Sequence, residues 1–163
     1  MYRVLVADDE PIERMIVGRT IKKYFSGQLE VVEAVNGREA AKFFTEKDCK
    51  IALLDIEMPG VNGLEAAEQI REEDRDCSII FLTAFDEFSY AKRAISVHAL
   101  DYLLKPFGFQ DFLKAVDKAY KWWEFRTKGH GTVAPPSTPS ELSFNDGTLF
   151  VKSDYRVTRI NLA

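Results

Sequence analysis

Three carboxylates, a hydroxyl and an ammonium stand at the ends of short strand-forming runs. Asp8 and Asp9 follow Tyr2-Arg3-Val4-Leu5-Val6-Ala7, Asp55 follows Ile51-Ala52-Leu53-Leu54, Thr83 ends Ser78-Ile79-Ile80-Phe81-Leu82, and Lys105 follows Tyr102-Leu103-Leu104. In an open α/β sheet, ligands bind beyond the carboxyl ends of the strands where the strand order reverses, so residues far apart in sequence can meet there. Three negative charges brought together repel and raise a carboxylate pKa unless they are compensated. A divalent cation and Lys105 would balance them. An all-oxygen donor set suits octahedral Mg²⁺ better than zinc. No Cys or His is placed to compete: Cys49 and Cys77 lack metal or redox spacing and read as buried free thiols, and His98 and His130 form no cluster.

The elements that must position these groups follow from the alternation along residues 2–125. Short Val/Ile/Leu-rich runs alternate with longer amphipathic segments, the pattern of β-α units around a parallel sheet. Strands are expected near Tyr2–Ala7, Glu30–Val35, Ile51–Leu54, Ser78–Thr83 and Asp101–Leu104. The unbroken apolar character of the last three fits strands covered on both faces. Five helices follow: from Pro11 to about Phe25-Ser26-Gly27, from Gly37 to Lys47, from Leu64 to Glu72 behind an Asn62 cap, from Asp86 to His98, and from Phe109 to Thr127. The fourth needs a left-handed residue at its end, for which His98 is suited. On the fifth, Phe109, Phe112, Leu113, Val116, Tyr120 and Trp123 form a helical stripe expected to face the sheet. Trp122 and Phe125 fall off the stripe, and lie either against the sheet edge or tail, or on a partner surface.

The 163 residues suffice for one core of ordinary size plus an appendage. With 22 basic and 26 acidic residues, a net charge of −4, the overall balance does not suggest a nucleic-acid surface. The first strand begins almost at Met1, leaving no room for a signal peptide, and no apolar run could span a bilayer, so a cytoplasmic protein without membrane contact is expected. Residues 129–140 are rich in Pro, Gly and small hydroxyl residues and read as a linker. Beyond it, Thr148–Lys152 and Arg156–Leu162 read as a hairpin across Ser153-Asp154-Tyr155, too short to hold a core alone.

Asp8-Asp9-Glu10-Pro11, Asp55 with Met58-Pro59-Gly60-Val61-Asn62-Gly63, Thr83-Ala84, and Tyr102-Leu103-Leu104-Lys105-Pro106, in that order and at those strand ends, resemble the receiver domains of two-component response regulators. The resemblance covers about residues 1–127. It implies an α/β fold with a doubly wound, flavodoxin-like sheet of five parallel strands and five helices. It further implies that Asp55 is a nucleophile accepting a phosphoryl group from a sensor histidine kinase. Asp9, Asp55 and the Glu57 carbonyl would bind Mg²⁺ directly, leaving the Glu57 side chain free, while Asp8 would hold a metal-bound water. Lys105 and Thr83 would engage phosphoryl oxygens, with Lys105 aimed inward by a cis bond to Pro106. Thr83 and Tyr102 would form the switch, Thr83 moving toward the phosphoryl group and Tyr102 turning inward behind it. Such a chain is a self-phosphotransfer switch with slow autodephosphorylation, not a turnover enzyme. Taken singly, Asp8 also reads as a helix cap, Thr83 as an ordinary strand residue, Lys105 as a surface cation and Tyr102 as a half-buried aromatic.

The switched face would comprise the fourth helix, fifth strand and fifth helix. Its mixed charges, Lys92 and Arg93 against Asp101, Asp111 and Asp117, suit pairing about a two-fold axis and hence homodimers on activation. Residues 149–162 resemble the opening of a LytTR-type DNA-binding domain, which places residues 141–163 at the start of an output domain and the chain's end inside it. From Lys128 onward four basic residues face three acidic ones, so DNA binding is expected only through the remainder of that domain. The segment Asp86-Glu87-Phe88 with Tyr90-Ala91-Lys92 is shared by several receiver subgroups and leaves an AraC-type transcription regulator as an alternative to LytTR, and the tail favours LytTR. Two other readings stand beside these: a stand-alone receiver interaction module carrying a docked or exchanged hairpin, and a Mg²⁺-dependent phosphohydrolase with an Asp nucleophile. The latter is expected to carry an Asp acid/base two residues after the nucleophile, where this chain has Glu57.

Overall fold

The computed structural model describes residues 1–84, 87–128, 141–145, 148–153 and 156–161, the last three stretches as backbone. Five strands, β1 (Tyr2–Ala7), β2 (Leu29–Ala34), β3 (Cys49–Leu54), β4 (Ser78–Thr83) and β5 (Asp101–Leu104), alternate with five helices, α1 (Pro11–Tyr24), α2 (Gly37–Glu46), α3 (Gly63–Glu73), α4 (Phe88–Ser96) and α5 (Phe109–Thr127). The strands are parallel and ordered β2-β1-β3-β4-β5. The chain therefore winds one way from β1 to β2 and the other way from β3 to β5, and the reversal falls between β1 and β3.

Period-two alternation sends successive side chains to opposite faces, and each face is apolar. Leu5, Ala52, Leu54, Ile79 and Phe81 pack against Ala40 and Phe44 of α2, Leu64 and Ile70 of α3, and Ala91 and Ala94 of α4. Val4, Val6, Ile51, Leu53, Ile80 and Leu103 pack against Val17 and Ile21 of α1 and Phe112, Val116, Trp122 and Trp123 of α5. Each fully buried aliphatic side chain contributes roughly 1.5–3 kcal/mol. Local chemistry sets the helix ends. Pro11 opens α1, Asn36 caps α2 by accepting from Glu39 N–H, and Asn62 with Glu65 forms a reciprocal capping box on α3. Gly27 and His98 take positive φ after α1 and α4.

Several boundaries move. β2 is shifted one residue toward the N-terminus and β3 begins at Cys49, because pairing with β1 extends it through the polar Lys50. α4 begins at Phe88, and Asp86 lies outside the described residues. On α5, Trp122 is buried, only 7% exposed, whereas Phe109 is 47% exposed and meets Tyr24 edge-on. The buried face is wider than the expected stripe and takes in Ala115, Ala119 and Trp122, the last lying under the Arg126 guanidinium, while Tyr2 packs on Tyr120 and Trp123 at the other flank. Phe125 stays exposed. Cys49 and Cys77 are buried free thiols.

Beyond α5, β6 (Glu141–Asn145), β7 (Thr148–Ser153) and β8 (Arg156–Asn161) form a separate antiparallel sheet ordered β6-β7-β8. The expected hairpin is β7-β8, and β6 adds a strand to it. The linker expected at 129–140, the turn residues 154–155 and Leu162 lie outside the described residues. No described helix is long and apolar enough to cross a membrane.

Candidate functional site

Each site residue is held by continuation of the backbone ladder one step past its strand. The Asp8 N–H donates to Ala34 O at 3.2 Å, the Asp55 N–H to Ala7 O at 2.9 Å, and the Lys105 N–H to Thr83 O at 2.8 Å. The loop after β3 is fixed from below by α3. Gly63 N–H donates to Ile56 O at 2.8 Å, and a Cβ on Gly63 would lie 1.9 Å from Asp55 O. Only a residue without a side chain lets α3 start against the Asp55 carbonyl.

The sheet brings Asp8, Asp9 and Asp55 together, with one carboxylate oxygen from each within 4.8 Å of the others. Asp8 and Asp55 are buried and Asp9 is exposed. Asp8 Oδ1 accepts the Glu10 N–H at 2.9 Å, so this carboxylate shapes the turn before α1 and is not its cap. Asp8 Oδ2 accepts from Lys105 Nζ at 3.0 Å, while Asp55 Oδ2 lies 3.6 Å from the same ammonium. Asp55 Oδ1 is buried without a hydrogen-bond partner among the described residues. A buried, unmatched carboxylate oxygen is costly unless a cation or donor meets it. The three oxygens facing one space fit a hard cation that keeps several waters, and Mg²⁺ fits this donor set.

Electrostatics carry the same signature. Burial pushes the Asp55 carboxyl up to about 6, and the neighbouring Asp8 charge adds to the rise, while Lys105 and the Ile56 and Glu57 backbone N–H groups work against it. Burial acts against the charged form of Lys105, but its bonds to Glu13 and Asp8 and the charge of Asp55 outweigh that and hold the ammonium above the usual lysine range. The site thus has excess negative charge in a partly dry setting, a demand for positive charge that one lysine does not meet.

Thr83 is fully buried at the end of β4, beside the residue preceding Lys105. Tyr102 is also buried, only 5% exposed, with its ring tilted against Phe81 at 6.2 Å between centroids. It is neither half-buried nor turned to solvent, because β5 pairs with β4 and places it over Phe81. The Lys105–Pro106 peptide is cis. The Glu57 side chain is not free. It accepts a hydrogen bond from the Tyr90 hydroxyl on α4, which keeps that phenol protonated up to about 12. Arg93 donates to Glu68 on α3 at 2.9 Å, and Asp117 pairs with Lys121 at 2.6 Å, so part of the mixed-charge face is already satisfied within the chain.

Three further residues reach the site or its loops, Glu13 and Arg14 without having stood out in the sequence and Tyr90 as part of a segment noted there for another reason. Glu13, in the first turn of α1, is hydrogen-bonded to Lys105. Arg14 donates to Asp8 O at 2.6 Å and to Glu33 at 3.3 Å. Tyr90 reaches Glu57 from α4. An acidic residue in a first helical turn is ordinary, since it meets the positive end of the helix dipole, so only the direction of α1 across the sheet distinguishes Glu13. Beside Lys105 an apolar cleft is lined by Ile16, Val17, Ala84, Pro106 and Phe107, with Ile16 well exposed.

Comparison with known proteins covers most of this region. The family model for the response regulator receiver domain matches residues 4–117. The positive alginate biosynthesis regulatory protein of Pseudomonas aeruginosa is 38% identical over 116 residues, covering 71% of this chain and 46% of that protein. The sensory transduction protein LytT of Oceanobacillus iheyensis is 34% identical over 123 residues, covering 72% of this chain and 48% of that protein. The chain therefore spans about half the length of these curated relatives. Among solved structures, the response regulator TrrA of Thermotoga maritima, determined in complex with Mg²⁺-BeF, is 37% identical with a TM-score of 0.65, covering 73% of this chain and 99% of that one.

Proposed function

The chain belongs to the response regulator receiver domain family, and on that premise we propose that it is a phosphorylation-dependent switch whose acceptor is Asp55. The observation that carries the reading is the buried Asp55, grouped with Asp8 and Asp9 beside Lys105 and with its Oδ1 lacking a hydrogen-bond partner among the described residues. Receivers are generally signalling modules and not turnover enzymes. Here Glu57, at the place where a phosphohydrolase would hold its acid/base, is exposed and engaged by Tyr90.

In the proposed reaction an Asp55 carboxylate oxygen attacks phosphorus in line, a P–O bond forms, and the bond to the leaving group breaks. The leaving group is the imidazole of a phosphohistidine on a histidine kinase, or acetate when acetyl phosphate is the donor. Catalysis of this kind is mostly placement and neutralisation of equatorial oxygen charge. Asp9, Asp55 and the Glu57 carbonyl would hold Mg²⁺, with Asp8 binding a metal-bound water. When bound, the ion supplies the positive charge that the carboxylate cluster lacks. Lys105 donates to one phosphoryl oxygen and Thr83 to another. The apolar cleft beside Lys105, with Ile16 exposed in it, suits docking of the donor protein.

A phosphoryl group adds strong acceptor oxygens and about −1.5 to −2 charge, which draws Thr83 and alters the packing behind it. Tyr102, buried against Phe81 on the next strand, is the neighbour positioned to register that change. We propose that the α4-β5-α5 face then pairs with its copy, and that residues 1–127 act through a linker at 128–140 on a LytTR-type DNA-binding output beginning at residues 141–163. The names of the relatives and their greater length support this reading.

The test is intact mass after incubation with acetyl phosphate. The wild type gains one phosphoryl group with Mg²⁺ and none with EDTA, and Asp55→Asn gains none under either condition. An adduct on Asp55→Asn, or one insensitive to EDTA, overturns the assignment. Light scattering reads the dimer, and an unchanged molecular mass after activation removes that part of the proposal.

A further inference from the structure

Lys105 is shared. Its ammonium donates to Asp8 at 3.0 Å and to Glu13, while Asp55 lies at 3.6 Å. An ammonium has three N–H donors in tetrahedral array, so two are directed at Asp8 and Glu13, away from the acceptor aspartate. Lys105 and Asp8 are held in place by burial, their side chains 17% and 7% exposed, whereas Glu13, at 37%, sits on the rim of α1. Glu13 is thus the most exposed of the three, and water can replace it at Lys105 more easily than it can replace Asp8.

Resting on the phosphoacceptor reading above, we infer that Glu13 is a positioning residue that competes with the phosphoryl group for Lys105 and so sets how readily the phosphorylated state accumulates. Forming that state requires Lys105 to give up its bond to Glu13 and turn an N–H toward a phosphoryl oxygen. The displaced Glu13 carboxylate then stays near the new negative charge. Both effects oppose phosphorylation, and neither is relieved by Mg²⁺, because Glu13 lies outside the carboxylate cluster suited to the ion. The role differs from simple support of Lys105. A supporting residue favours the phosphorylated state, and its removal weakens that state.

The experiment titrates wild type, Glu13→Gln and Glu13→Asp with fluoroberyllate at saturating Mg²⁺, and separately with Mg²⁺ alone, by calorimetry. Glu13→Gln is expected to bind fluoroberyllate roughly five- to tenfold more tightly than wild type, because the amide oxygen still accepts from Lys105 but without the carboxylate charge, so the bond to be surrendered is weaker. Its Mg²⁺ affinity is unchanged or slightly lower, since a nearby negative charge is lost. Glu13→Asp keeps the charge but draws it back by one methylene, and falls between. Tighter fluoroberyllate binding without tighter Mg²⁺ binding is a result that loosening of α1 does not give, because that weakens both. Equal or weaker fluoroberyllate binding by Glu13→Gln, with wild type binding normally, overturns the inference alone. A wild type that binds no fluoroberyllate in the presence of Mg²⁺ overturns the phosphoacceptor reading and the inference with it.

Discussion

Asp55→Asn is expected to stabilise the metal-free fold at neutral pH. The Asp55 carboxyl rises from an ordinary value of 3.8 to about 6 in the folded chain, driven first by burial. A group whose folded pKa is raised favours folding fully below its unfolded pKa, and that contribution is lost as pH rises through the folded pKa. A gap of about two pH units is worth ~3 kcal/mol at 1.36 kcal/mol per unit. Asn matches the shape of the neutral acid and carries no charge at any pH. Above about pH 6.5 in EDTA, the variant should therefore exceed wild type by ~2–3 kcal/mol, with the advantage shrinking toward pH 4, where Asp55 is protonated in the fold. Urea denaturation followed by the fluorescence of the buried Trp122 and Trp123 reads both proteins across that range. The two chains differ only at position 55, so the difference between them reports the loss of the Asp55 charge. Saturating Mg²⁺ should narrow the gap by stabilising wild type alone. A difference that is flat with pH, or an Asn variant less stable than wild type at pH 7.5, refutes the claim that burial of an ionised Asp55 strains the metal-free fold.

Mg²⁺ at about a hundred times its Kd should stabilise wild type by ~2.7 kcal/mol, and Asp9→Ala should abolish the rise in Tm. Arg71 ties the end of α3 to the end of α4, donating to Val97 O at 2.9 Å, Arg75 O and Cys77 O at 2.8 Å and His98 O at 3.3 Å. Arg71→Ala should cost ~2–4 kcal/mol in urea denaturation and speed amide exchange at 97–100, and Arg71→Lys should rescue little because an ammonium cannot span those carbonyls. Gly63→Ala should destabilise by roughly 1–3 kcal/mol or more, since its Cβ would meet backbone and no flexible side chain could yield. Denaturation midpoints of wild type level with this variant would contradict the close approach of α3 to Asp55.

The α/β alternation was legible because buried parallel strands write themselves as unbroken Val/Ile/Leu runs, and the site because each chemical group stands one residue past such a run. The exchange of Trp122 for Phe109 on the buried face of α5 was not legible. Helical periodicity gives an axis of apolar residues, but packing against the sheet decides how wide a face is covered, and here it takes in the flank of Ala115, Ala119 and Trp122. Cys49-Lys50 joined β3 through backbone pairing, which a polar side chain on the sheet's rim does not prevent. Glu13 and Tyr90 act through contacts of one helix with a loop or side chain from elsewhere in the chain. Nothing in their own neighbourhoods marks those contacts, whereas the cap at Asn62 was readable because both of its partners lie within one turn.

The central claim is that Asp55 itself becomes an acyl phosphate. Borohydride reduces an acyl phosphate to the alcohol, turning a phosphorylated aspartate into homoserine, which peptide mass mapping locates by residue. After treatment with acetyl phosphate and Mg²⁺, homoserine should be found at position 55 and nowhere else, and its yield should fall to background in EDTA. Homoserine at position 8 or 9, or a phosphoryl group that survives borohydride on another side chain, would contradict the account.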